Sequence, residues 1–335
     1  MSITALDIGT HSIKVLISKD NNGRFLQKAI ILPNKLGLVV PKNDQEALQY
    51  AEMVANLFQD YKLEQSDVRL SLPEYLIANK VIEVPYLSDA ELASAIGWQA
   101  EQVIPIPKND LALQYQILAK PEKKTPEAKM KVILVATQKS LIERINNAFL
   151  SIGIEATLME THILSVIRAL DITPDDPETL ILNMGASGND IAVVAKGMFE
   201  FVFNSKTGSA LLDAAIAQSF NLDQKQAEEY KVNYGLDPHQ LEGKLLPICA
   251  PLIENLIIDL QKTMRFFTQQ HPEQKIKRIV LAGGPAQMKG LLEKISQSLN
   301  VEVLQMAPFN NLKGQIPEQS QLSFAVGVGL LARKL

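Results

Sequence analysis

The clearest pattern in the chain is an apolar run that delivers a carboxylate, turns through small polar residues, and resumes as a second apolar run. It occupies Leu6-Asp7-Ile8-Gly9-Thr10-His11-Ser12-Ile13-Lys14-Val15-Leu16-Ile17. This spacing predicts a β-hairpin over 3–18, whose turn offers backbone N–H groups, two hydroxyls and one ammonium to an anion. The same form returns at Leu180-Ile181-Leu182-Asn183-Met184-Gly185-Ala186-Ser187-Gly188-Asn189-Asp190-Ile191-Ala192-Val193-Val194. Two such hairpins predict two related halves facing one phosphate chain.

Between them, strands are expected at 24–32, 68–72 and 80–84, with a helix at 44–61 carrying Ala47, Leu48, Ala51, Val54, Leu57 and Phe58 at helical spacing. Residues 86–130 change character. Ser88 and Glu91 have capping-box spacing at the start of a helix that ends near Val103. Ile104-Pro105-Ile106-Pro107 breaks it, a strand follows at 111–119, and 121–131 is a polar, lysine-rich loop. This block reads as a small inserted α/β subdomain. A strand at 130–136, a helix at 140–150, a strand at 153–160 and a helix at 161–170 return to the first half, and Thr173-Pro174-Asp175-Asp176-Pro177 is a linker. In the second half, a strand is expected at 198–203, a helix after Gly208, a helix at 252–267 whose apolar stripe reads as core, a strand at 279–282, and a helix from about Lys289. The expected division is 1–172, 177–319, and a final helix in 320–335 packing back on the first half.

The 335 residues suffice for two domains, and a net charge of −4 gives no electrostatic case for nucleic acid. Cys249 is the single cysteine, which excludes a disulfide framework. The four histidines are scattered and read as surface or structural. The N-terminal apolar run, broken by Asp7, His11 and Lys14, does not read as a secretory signal, and no apolar stretch approaches the roughly 20 residues that cross a bilayer. The expectation is a cytoplasmic protein with no direct membrane insertion.

Gly283-Gly284, between an apolar strand and a helix, would let backbone approach a flat ligand. Alone it reads as a turn; with the two hairpins it can cradle an adenosine. Ala227-Glu228-Glu229-Tyr230-Lys231 alone reads as a solvated helix face. No P-loop occurs, and Gly185-Ala186-Ser187-Gly188 is one residue short of a nucleophile elbow.

In this order, Asp-Ile-Gly-Thr-x-Ser-x-Lys, a second glycine hairpin, a Gly-Gly turn and the small-residue run Phe324-Ala325-Val326-Gly327-Val328-Gly329-Leu330 resemble the actin-like ATPase superfamily. Within it the chain most resembles the PilM family of type IV pilus assembly proteins. The further resemblances are Glu91-Leu92-x-x-Ala95-Ile96-x-Trp98-x-Ala100-Glu101 before Ile104-Pro105, Val135-Ala136-Thr137-Gln138-Lys139, Ala227-Glu228-Glu229-Tyr230-Lys231-x-x-Tyr234-Gly235, and Gly290-Leu291 after Gly283-Gly284. The resemblance covers about 3–332.

It implies two ribonuclease-H-like (actin-like) domains around a nucleotide cleft holding ATP or ADP with Mg2+. Gly9, Thr10, His11, Ser12 and Lys14 would contact nucleotide from one side, and Gly185, Ala186 and Ser187 from the other. Gly208 and the Glu228/Lys231 pair would lie near phosphate and ribose, with Gly283 and Gly284 near the adenosine. Asp7 would hold metal-bound water, with Asn183 also reaching the metal through water, and Glu160 matches the place of a water-orienting residue. The second hairpin departs from the usual Asp-x-Gly, because Asn183 brings no charge and cannot act as a base. Slow or absent hydrolysis is therefore expected.

The resemblance further implies a scaffold, peripheral at the inner face of the cell membrane, that binds the short N-terminal cytoplasmic tail of a PilN-like single-span membrane protein; self-association is compatible with it. Residues 86–135 would supply much of the groove, and Trp98 reads as core because so large a ring is usually buried, although it lies off the Leu92, Ala95 and Ile96 face. One alternative is an actin-superfamily small-molecule kinase or ATPase, disfavoured because no convincing carboxylate base is expected at the cleft. The other is an FtsA-like filament protein, disfavoured because residues up to Leu335 show no linker and terminal amphipathic helix.

Overall fold

The structure, a computed structural model, describes residues 2–125 and 127–334; Pro126 of the expected polar loop, Met1 and Leu335 lie outside the described residues. The chain opens with β1 (Ile3–Ile8), β2 (Ser12–Ser18), β3 (Phe25–Pro33), α1 (Asp44–Tyr61) and β4 (Val68–Leu72). The opening hairpin forms as predicted, with Asp7 opposite Lys14. The side chain of Asn43 accepts from the Glu46 N–H and starts α1, a local capping device.

The next block is β5 (Ala78–Pro85), α2 (Asp89–Val103), β6 (Leu111–Ala119) and β7 (Lys129–Gln138). These strands form a separate sheet in the order β5-β7-β6. The Ser88–Glu91 capping box is present. Helix α2 buries Leu92, Ile96 and Ala100 against Met130, Val132 and Leu134, each large side chain contributing about 1.5–3 kcal/mol. The sheet starts before residue 86 and ends after 130, because β5 pairs along its whole length with β7. Trp98 is not core: it faces solvent, 61% exposed, on the side of α2 away from that stripe.

The chain returns through α3 (Lys139–Leu150), β8 (Ala156–Thr161) and α4 (His162–Leu170). It then forms β9 (Thr179–Met184), β10 (Asn189–Ala195), β11 (Met198–Ser205), α5 (Ala210–Phe220), α6 (Gln224–Asn233) and α7 (Leu246–Gln270). Helix α7 begins six residues before the expected start at Leu252, running through Pro251. Last come β12 (Arg278–Ala282), α8 (Leu291–Leu299), β13 (Glu302–Gln305), β14 (Lys313–Gly314) and α9 (Ala325–Ala332).

Two large sheets result, β14-β3-β2-β1-β4-β8 and β11-β10-β9-β12-β13. Strand β1 runs antiparallel to β2 and parallel to β4, and β9 runs antiparallel to β10 and parallel to β12. The two hairpins thus occupy equivalent places in the two sheets. One core joins the second sheet to α4, α9 and the inner face of the first; a second lies between the first sheet's outer face and α1 and α3. Arg69, 2% exposed, fixes α9 to the first sheet. Its guanidinium donates to the carbonyls of Leu330, Leu331 and Arg333 and pairs with Asp67. Those carbonyls lie at a helix end, and the cation complements their partial negative charge.

Candidate functional site

A cavity of about 700 Å³ opens between the two large sheets, a volume suited to a cofactor-sized ligand. The turn of the first hairpin lines one wall with Gly9, Thr10, His11 and Ser12, and the turn of the second lines the facing wall with Gly185, Ala186 and Ser187. The turns meet: the Thr10 hydroxyl donates to the Ser187 hydroxyl at 3.3 Å. Gly283 and Gly284 close a third side. A Cβ on Gly283, at φ 85°, would lie 2.1 Å from the Met184 carbonyl oxygen, so the backbone of β9 already requires this glycine.

Asp7 lies at the cleft floor, 3.5 Å from the Lys14 ammonium, and accepts from the Ser71 hydroxyl at 2.8 Å. Burial works to raise the Asp7 carboxyl, but Lys14, His162 and the Ser71 bond outweigh it and hold it below the usual range. His162, at the first turn of α4, stands between the walls. Its Nε2 is 3.5 Å from Asp7 Oδ1 and its Nδ1 is 3.8 Å from Asp190 Oδ2. Burial would depress the imidazole, yet Asp190 and Asp7 raise it. Asn183 lines the second wall, its amide donating to Asp190 at 3.3 Å. Glu74 is also buried in the wall, where burial and the nearby charge of Asp190 push its carboxyl up to about 8. Its Oε2 accepts from the Ile163 N–H in the first turn of α4, and its Oε1 from the Asn79 amide on β5.

Two expected partners are arranged differently. Lys231 does not pair with Glu228; it is buried against Asp213, 2.7 Å away, and both line the cleft. Burial raises the Asp213 carboxyl against the pull of Lys231. Glu228 instead receives His11 across the cleft, at 3.1 Å. Gly208 lies beneath the second turn rather than on the lining, and a Cβ there would fall 2.2 Å from the Ala186 carbonyl oxygen. The adjoining N–H groups of Ser209 and Ala210 bond to the carbonyls of Gly185 and Ala186, bracing the turn.

Glu160 is outside the cleft. Its carboxylate is taken by Arg168, two turns along α4, and by the Ser165 hydroxyl at 2.9 Å. It is a structural ion pair, not a group facing the second wall. Sequence reasoning placed Asp7 and Glu228 at the cleft and expected no convincing carboxylate base there; the carboxylates it missed are Glu74, Asp190 and Asp213, which also line it. His162 is likewise no ordinary structural histidine. Counting outward from the Gly185–Gly188 turn puts residue 190 opposite 183 and would have found Asp190. Glu74 and His162 carry no local signal, because only the tertiary fold brings them together.

The model of the type IV pilus assembly protein PilM matches residues 5–334. The chain belongs to the PilM family. Among solved structures, it is similar to the PilM–PilN type IV pilus biogenesis complex at 22% identity, with 98% of this chain and 97% of that one covered and a TM-score of 0.83. It is also similar to MreB5 of Spiroplasma citri bound to ADP, at 13% identity, coverages of 98% and 94%, and a TM-score of 0.56. Ta0583, an archaeal actin homologue, gives 12% identity, coverages of 99% and 98%, and a TM-score of 0.53. These likenesses establish the fold: two actin-like domains around a cleft, with a small inserted α/β subdomain. In this member of the PilM family the two hairpin turns and the Gly283–Gly284 turn converge on that cleft.

Proposed function

We propose that this type IV pilus assembly protein is a nucleotide-binding scaffold, holding ATP or ADP with Mg2+ in the cleft and a membrane partner on the inserted subdomain. The observation that carries the reading is the meeting of the two hairpin turns above Asp7 and Lys14. Backbone turns, hydroxyls and one ammonium from both walls are suited to a chain of phosphates. The buried Nε2 of His162 has no hydrogen-bond partner among the described residues and faces Asp7 Oδ1 at 3.5 Å, which leaves it capacity to donate to a ligand. MreB5 of Spiroplasma citri, which shares the fold, is bound to ADP.

In this reading Gly9, Thr10, Ser12 and Lys14 hold phosphate from one wall and Gly185, Ala186 and Ser187 from the other. Glu228 and Asp213 face the ribose, and the backbone at Gly283 and Gly284 faces the adenine. Asp7, and Asn183 through water, would hold magnesium, which when bound supplies positive charge against phosphate oxygens. Hydrolysis is slow or absent: Asn183 has no basic oxygen to offer a water, and Glu160 is held by Arg168. The nucleotide then serves to fix the relative pose of the two halves.

The partner in this reading is the N-terminal tail of a PilN-like single-span membrane protein, PilN being the companion in the similar complex. Two features of the inserted sheet suit an extended tail. Strand β6 is an edge strand, open to addition of a further strand. The outward face of α2 presents Trp98 one turn beyond Ser94 and Ala95, on an open helix face. No described helix is long and apolar enough to cross a membrane, and attachment through such a partner would place the protein at the inner face.

The deciding experiment titrates ATP and ADP, with magnesium, into the purified chain by calorimetry, then titrates a peptide of the partner's N-terminal tail into each state. Saturable binding of both is expected. Absence of nucleotide binding overturns the reading of the cleft, and absence of peptide binding overturns that of the scaffold.

A further inference from the structure

The second hairpin lacks the carboxylate expected at Asn183, yet the same wall carries one on the next strand. Asn183 on β9 stands directly opposite Asp190 on β10, and Asp190 stands directly opposite Asn204 on β11. Opposed residues of antiparallel strands project from the same face, so all three point into the cleft, and all three line it. Both amides bond to the carboxylate between them: Asn183 Nδ2 lies 3.3 Å from Asp190 Oδ2, and Asn204 Nδ2 lies 2.9 Å from Asp190 Oδ1. The Asp190 side chain, 14% exposed, is therefore clamped in one orientation. Facing it is Asp7, and the one imidazole of His162 lies within 4 Å of both.

We infer that Asp190 supplies, from β10, the negative charge toward a nucleotide-bound divalent cation that Asn183 cannot supply from β9. This rests on the nucleotide reading given above. Among the described residues no three His, Cys, Asp or Glu side chains gather into a site that would hold an ion by themselves. Magnesium suits such a place, since it keeps several waters and takes one or two carboxylates together with phosphate oxygens. Asp7 and Asp190 are the two carboxylates, one from each wall. The ion then links the halves through the nucleotide, and Asn183 becomes a positioning residue that orients Asp190.

The test titrates ADP into the full chain by calorimetry, in magnesium and in chelator, for the native protein, Asp190→Asn, and the exchange Asn183→Asp with Asp190→Asn. The quantity read is the ratio of Kd in chelator to Kd in magnesium. In Asp190→Asn that ratio falls about tenfold, the lower end of what lost ligand-supporting groups cost in metal affinity, while Kd in chelator does not weaken. The exchange returns the carboxylate to β9 and recovers the ratio, which a merely structural role of Asp190 would not do. Manganese bound with ADP gives a second readout, its electron paramagnetic resonance spectrum changing in Asp190→Asn and reverting in the exchange. A ratio unchanged in Asp190→Asn overturns the inference. A native protein that binds ADP equally well with and without magnesium overturns it while leaving nucleotide binding standing; no binding of ADP in either condition overturns both.

Discussion

His11 Nε2 and Glu228 Oε2 lie 3.1 Å apart, one on the turn of the first hairpin and the other on helix α6 of the opposite half. The pair spans the mouth of the cleft. Its side chains are 47% and 44% exposed, so its effect on stability is below about 1 kcal/mol. Its effect on exchange is larger, because a ligand entering the cleft must part the two residues. His11→Ala is expected to leave the melting temperature almost unchanged and to raise both association and release rates of a fluorescent adenine nucleotide several-fold in stopped flow. Equal rates in the two proteins would show that the contact gates nothing.

Gly329 tests how closely the last helix must approach the first half. A Cβ there would fall 1.8 Å from the Ser165 carbonyl oxygen of α4, a backbone atom that cannot rotate away. The Gly329 carbonyl also accepts from Arg168 at 3.0 Å, so the two helices cannot separate without loosening the Glu160 ion pair. Gly329→Ala is expected to destabilise by about 2–3 kcal/mol or more, read as a lower urea midpoint at unchanged slope. Gly97, exposed in α2 with nothing near its would-be Cβ, gives the opposite sign: Gly97→Ala stabilises by about 0.5–1 kcal/mol.

The hairpins were legible because their signal is local. Alternating apolar residues, a turn of small polar residues and the same form repeated downstream set strand, register and face at once. The capping box of α2 was legible for the same reason. Where non-local pairing decides, sequence reasoning fell short: the inserted sheet extends to Ala78 and Gln138 because β5 pairs with β7 across the intervening helix and strand. Trp98 shows residue size misleading where periodicity was right. Its position off the Leu92–Ile96–Ala100 stripe outranks the tendency of large rings to be buried. Glu160 shows the limit of analogy, since Arg168 two turns along α4 decides where its carboxylate points.

Glu74 gives a pH dependence whose sign follows from its raised carboxyl. The native state keeps a proton up to about pH 8, whereas an unfolded glutamate releases it near about pH 4.3. Stability from this group is therefore full in acid and lost as pH rises toward 8, with a limiting slope of about 1.4 kcal/mol per pH unit. His162, whose imidazole is raised, titrates beside it, so the comparison must be between proteins at each pH. Glu74→Gln, neutral throughout, is expected to lose less stability than the native chain between pH 5 and pH 8, as read by urea midpoints. An identical loss in the two proteins would place the carboxylate in its ionised form at neutral pH.

Trp98 is the sharpest test of the partner surface. The indole lies outside the α2 core stripe, in solvent, on the same open helix face as Ser94 and Ala95. An exposed tryptophan contributes little to folding but has a large apolar area to cover when a partner arrives, and such residues dominate binding energies. Trp98→Ala is expected to leave urea unfolding and nucleotide affinity unchanged while weakening the partner's N-terminal tail by about 2 kcal/mol, roughly thirtyfold. A deletion of 86–130 cannot make this distinction, because it removes α2, β6 and the first two residues of β7 while leaving β5 and the rest of β7, stripping the inserted sheet of its core. If the tail peptide binds Trp98→Ala as tightly as the native chain, the outward face of α2 is not the tail's seat. The edge of β6 is then the surface to probe, by placing proline at alternate positions along Leu111–Ala119.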